Sequence, residues 1–117
     1  MVLASGGAKG FAHIGAIEAL EESGYEITSI AGASMGALIG GIYAAGGLDK
    51  LKEWMYDLTD REVFRLVDFT FSPNALVKGN RIMDALKAIV PDCSIEDLNI
   101  PYCAVATDLK EGQEVVF

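Results

Sequence analysis

The sequence predicts an α/β domain of three layers, α/β/α, built around a mostly parallel sheet. Two short apolar runs that read as strands are each followed by a glycine-bearing turn and then by a helical pattern. The first is Met1–Ala4 into Ser5–Gly10, the second Ile27–Ala31 into Gly32–Gly36. Strand–turn–helix units in succession pair their strands in parallel, with helices laid over the sheet. The chain has 117 residues, 51% of them hydrophobic, which fits one core-rich α/β piece of a larger domain.

Each element has its own local reason. Ala12 to Ser23 places Ile14, Ile17 and Leu20 on one face and Glu18, Glu21 and Glu22 on the other, and Gly24 closes it as a left-handed cap. Ile27 to Ala31 is short and rich in β-branched residues, as strands are. Gly36 to Ala45 is apolar all round, the pattern of a helix buried under neighbouring elements. Leu48 to Leu58 is amphipathic, with Leu48, Leu51, Met55 and Leu58 on one face. Asn80 can cap a helix from Arg81 to Val90 that Pro91 stops. Ile100 to Leu109 reads as a buried strand, Lys110 to Gln113 as a turn, and Glu114 to Phe117 as a last strand.

The chemistry concentrates in the two turns. Gly32-Ala33-Ser34-Met35-Gly36 puts a serine in a Gly-x-Ser-x-Gly turn between strand and helix. So sharp a turn strains the serine backbone and lifts its hydroxyl above the sheet edge; a Cβ at Gly32 or Gly36 would collide with neighbouring backbone. Ser5-Gly6-Gly7-Ala8-Lys9-Gly10 gathers several backbone N–H groups at a helix start, where they bind a phosphate or stabilise an oxyanion. Successive turns place the serine and the donors side by side at one edge of a parallel sheet, the edge where such sheets bind ligands.

These motifs together resemble the patatin-like phospholipases, a family of lipid acyl hydrolases. The family pattern is a Gly-Gly-Gly-x-Arg/Lys-Gly loop, a helix opening with His-x-Gly, and then Gly-x-Ser-x-Gly. The corresponding residues here are Ser5 to Gly10, His13-Ile14-Gly15 and Gly32 to Gly36, with weaker likeness at Gly79, Ala106 to Leu109 and Val115 to Phe117. Ser5 stands where the family has its first glycine. The resemblance implies Ser34 as nucleophile, the amides of Gly6, Gly7 and Ala8 as oxyanion hole, and Lys9, Gly10, Gly32 and Gly36 as motif support. It implies a phospholipid, lysophospholipid or simpler acyl ester as substrate, peripheral contact with a membrane surface as compatible with that substrate, and no metal or cofactor. It fixes no oligomeric state. The family's Ser-Asp dyad takes its aspartate from a later Asp-Gly-Gly or Asp-Gly-Ala motif, and no Asp-Gly pair occurs in this sequence. The expectation is therefore that residues 1–117 form the N-terminal portion of a patatin-like phospholipase domain, inactive alone, with the dyad aspartate beyond Phe117.

Charge and cysteines narrow the partners. Seventeen acidic against nine basic residues give a net charge of −8, which disfavours nucleic acid and simple electrostatic attachment to anionic membranes. Cys93 and Cys103 are not spaced as a metal or redox motif and read as reduced core thiols. With no basic leader pattern, a cytoplasmic location is expected. The uncharged stretch Ile27 to Leu48 is long enough to trip a transmembrane window, but its glycines and serines suit strand, turn and helix instead.

Further residues carry alternative readings. His13 is available as a base, or as a structural hydrogen-bond donor at the start of its helix, the reading adopted here. Lys9 can meet an anionic substrate or a nearby carboxylate. Asp108 can approach the serine's edge or cap a turn. The apolar stretch from Phe64 to Val77 can line an acyl-chain cleft, cover it, or pack in the core. A nucleotide-binding module is the weaker alternative function: Gly7 and Gly10 approximate its loop, but Ala31 to Ser34 occupy the place of its ribose-binding acid, and Lys9 precedes glycine rather than Ser or Thr. A non-catalytic lipid-binding or scaffold piece is the other, because the dyad aspartate is missing.

Overall fold

A computed structural model describes residues 1–57, 84 and 86–117. In chain order these give β1 (Val2–Leu3), a 3₁₀ turn (Gly7–Phe11), α1 (Ala12–Glu22), β2 (Ile30–Ala33), α2 (Met35–Ala44), α3 (Leu48–Tyr56), β3 (Tyr102–Asp108) and β4 (Gln113–Val116). Residues 84 and 86–89 are also helical. Leu58, the Phe64–Val77 stretch, Gly79 and the Asn80 cap lie outside the described residues.

The α/β class expected from the sequence holds. The sheet order is β1-β2-β3-β4, with β1∥β2 and β2∥β3 parallel and β3/β4 an antiparallel hairpin. Leu3, Gly32, Ile30 and Tyr102 share one face by register. On that face Ile14 and Ile17 of α1, Ile39 and Ile42 of α2, and Leu48 and Leu51 of α3 form one buried cluster with Leu3 and Ile30. Ile17, Ile39 and Leu51 are completely or almost completely buried, each worth about 1.5–3 kcal/mol of apolar transfer. The other face carries Val2, Ala31, Cys103, Val105 and Val116. There Val2 is 82% exposed and Val116 57%. Among the described residues, two of the three expected layers are therefore in place.

β2 starts at Ile30 rather than Ile27. The ladder opens where Ile30 N–H donates to Pro101 O, and Pro101 has no N–H with which to extend it backwards. The same proline delays β3 to Tyr102. Ile27 is buried all the same. Gly24 takes the expected left-handed cap, φ 84°, with its N–H on Glu21 O and that of Tyr25 on Leu20 O.

Polar ties join the helices. Tyr43 Oη donates to Glu21 Oε1 at 2.6 Å, linking α2 to α1, and Lys52 of α3 pairs with Glu18 of α1. Both cysteines are free thiols, but Cys93 is exposed rather than in the core, because it follows Pro91 onto the surface. No helix among the described residues is long and apolar enough to cross a membrane; Ile27 to Leu48 divides into β2, a turn and α2.

Candidate active site

Because β1 and β2 run parallel with Leu3 opposite Gly32, both strands deliver their following turns to the same edge. At the end of β2, Ser34 adopts φ 53°, ψ −122° and is the one non-glycine with positive φ among the described residues. Holding an L-residue there costs on the order of 1–3 kcal/mol and persists only where surroundings enforce it. Met35 begins α2 directly afterwards, so Ser34 is its N-cap, yet the hydroxyl makes no capping hydrogen bond and the residue is exposed. A serine at an N-cap ordinarily bonds the helix's first amides. Here the strained backbone turns it away from them.

The flanking glycines enforce that strain. A Cβ on Gly32 would lie 2.5 Å from Gly36 O and 2.6 Å from Ala37 N. One on Gly36 would lie 2.5 Å from Ala4 O and 2.6 Å from the Leu3 carbonyl carbon. All four are main-chain atoms, which cannot rotate aside. The start of α2 thus packs on the end of β1.

The glycine-rich loop meets this turn. Gly7 has φ 51° and begins the 3₁₀ turn; Lys9 N–H closes onto Gly6 O at 3.0 Å. The leading amides of a helical turn have no partner within it, which leaves those of Gly7 and Ala8 available. Gly10 is buried against Met35: a Cβ on Gly10 would stand 2.6 Å from Met35 Cβ. The loop's last glycine therefore touches the residue that follows Ser34. Lys9 is exposed and forms no ion pair among the described residues.

His13, readable as a base, and Asp108, readable as approaching the serine's edge, are both committed elsewhere. His13 Nε2–H donates to Ala4 O at 2.8 Å. Asp108 Oδ1 accepts the N–H groups of Lys110 and Glu111 at 2.8 and 3.2 Å, capping the β3–β4 turn. One contact beside the turn had no sequence signal: Tyr102 Oη donates to Ala37 O at 2.7 Å, one turn into α2, and burial pushes that phenol's pKa up. Two grooves run along the helices, one of about 470 Å³ bordered by Phe11, Met55, Glu18 and Lys52, the other of about 420 Å³ bordered by Ala37, Leu38, Tyr102 and Lys87; neither is lined by Ser34 or by residues 5–10.

Residues 1–112 match the family model described as patatin-like phospholipase. The chain is 50% identical over 117 residues to a protein of Mycobacterium tuberculosis, and equally to one of Mycobacterium bovis, each named an uncharacterised NTE family protein; the match covers 100% of this chain and 32% of each relative. It is 33% identical over 114 residues to neuropathy target esterase sws of Drosophila melanogaster, covering 93% of this chain and 8% of that protein. The chain thus spans about a third of the length of the mycobacterial relatives.

Proposed function

The chain belongs to the patatin-like phospholipase family, and from that premise we propose that it is the nucleophile-bearing part of a serine acyl hydrolase of lipid esters, of phospholipase A or lysophospholipase type. The observation that carries the reading is Ser34, exposed and strained at the β2–α2 turn, with the glycine-rich loop packed against its neighbour Met35. Ser34 Oγ attacks the ester carbonyl carbon and gives its proton to an aspartate of a downstream Asp-Gly motif. The carbonyl oxygen becomes an oxyanion held by the amides of Gly6, Gly7 and Ala8. As the tetrahedral centre collapses, the ester C–O bond breaks and the leaving alcohol takes the proton from the aspartate. Water, deprotonated by the same carboxylate, then attacks the acyl-enzyme; as this second tetrahedral centre collapses the acyl–Oγ bond breaks, Ser34 Oγ takes the proton back from the aspartate, and the fatty acid leaves.

A fluorophosphonate probe tests this in the full-length protein. The reading expects covalent labelling at Ser34, hydrolysis of a short acyl ester, and loss of both in Ser34→Ala, with turnover falling by about 10⁴-fold or more. Turnover surviving Ser34→Ala would refute the nucleophile. A folded protein with neither labelling nor turnover would favour a non-catalytic lipid-binding role.

A further inference from the structure

Three of the six residues from Ser5 to Gly10 are glycines, the residue type with most backbone freedom to lose. Amides that are to stabilise a developing charge must nevertheless be held in place before the reaction, since reorganising them during it forfeits their effect. Among the described residues, few hydrogen bonds hold this loop. Lys9 N–H on Gly6 O is internal to it and does not fix it to the sheet. Gly10 against Met35 fixes its far end. Its near end is Ala4, and there one side chain reaches across: His13, from the first turn of α1, places Nε2–H on the Ala4 carbonyl at 2.8 Å. That carbonyl also faces Gly36, so the bond ties to α1 the same point of the chain that packs on the first turn of α2.

We infer that His13 is a positioning residue for the glycine-rich loop, which acts on the acyl-transfer step by fixing Ala4 and hence the aim of the Gly6, Gly7 and Ala8 amides. This rests on the hydrolase reading above. His13 transfers no proton in it. Nε2–H is present in the neutral tautomer that makes this bond and in the imidazolium alike, so the clamp survives a change of charge on the ring. A general base at the same position would cease to function on protonation.

The test uses the full-length protein with p-nitrophenyl butyrate as substrate and wild type, His13→Ala and His13→Gln compared. Loss of one oxyanion donor costs about 10²–10³-fold, so a mis-aimed loop in His13→Ala should lower kcat by about 10–100-fold while KM stays within about twofold. In His13→Gln the side-chain amide N–H can reach the same carbonyl and should restore kcat to within about fivefold of wild type, with the pH–rate profile unchanged in shape. Equal kcat in all three proteins overturns the inference. So does a His13→Gln variant as impaired as His13→Ala whose acid limb has vanished, since that marks a base. If His13→Ala does not fold, His13→Leu, which fills the space without an N–H donor, takes its place in the same three-way comparison. An inactive, unlabelled wild type would instead remove the hydrolase reading itself, and this inference with it.

Discussion

Gly36 stands so close to Ala4 that a Cβ on it would lie 2.5 Å from the Ala4 carbonyl oxygen. The contact joins the residue that ends the serine turn to the one that opens the glycine-rich loop, through main chain alone. Gly36→Ala should therefore force α2 off β1 and destabilise the protein by about 3 kcal/mol or more. Gly15 gives the contrasting case. It lies in the middle of α1 with nothing among the described residues within 4 Å of its would-be Cβ, so Gly15→Ala should stabilise by roughly 0.5–1 kcal/mol. Urea unfolding midpoints of the two variants, moving in opposite directions, check both.

Strain at Ser34 makes a second expectation. Glycine tolerates φ 53° without the penalty an L side chain suffers there. Ser34→Gly should be more stable than Ser34→Ala by about 1–2 kcal/mol, although both lack the hydroxyl. Thermal melts of the two variants measured side by side would show it; equal melting temperatures would mean the turn is not strained.

Alkaline pH should loosen the α1–α2 contact. The hydrogen bond to Glu21, with burial and the nearby charges of Glu21 and Glu26, pushes the Tyr43 phenol from 10.0 up to about 12. A folded-state value above the unfolded one means that the stabilisation is complete below about pH 10 and is lost as pH rises through about 12. Ultraviolet titration should find a tyrosinate step near pH 12 that disappears in Tyr43→Phe and moves to lower pH in Glu21→Gln. Tyr43→Phe should also be less stable than wild type at neutral pH, with a gap that narrows across that window.

Most of this was legible in the sequence because it depends on local pattern. Ile14 and Ile17 at helical spacing, Gly24 at a helix end, and a serine between two glycines each specify their own surroundings within a few residues. What the pattern hid depends on residues far along the chain. The start of β2 is set by Pro101, which cannot donate across to it, and no window around Ile27 contains that information. His13 was readable as a hydrogen-bond donor, but its partner is a main-chain carbonyl, and carbonyls carry no mark in a sequence. Asp108, by contrast, was legible as a turn cap, because its partners are the amides of Lys110 and Glu111, two and three residues on. Cys93 misled because an apolar neighbourhood in sequence, ending at Pro91, was not an apolar neighbourhood in space.

The short parallel pairing of β1 with β2 also sets an order of assembly. Val2 with Ala31 and Leu3 with Gly32 close over α1 alone, so the glycine-rich loop and Ser34 can come together as soon as α2 has emerged from the ribosome. The opposite edge of β2 must wait for Tyr102 to Val105, across a much longer connection whose closure is slower. Through that interval a nearly finished serine turn sits beside an unpaired strand edge, which is a template for wrong partners. Translation that stalls between α2 and β3 should yield aggregates in which the serine turn is already formed.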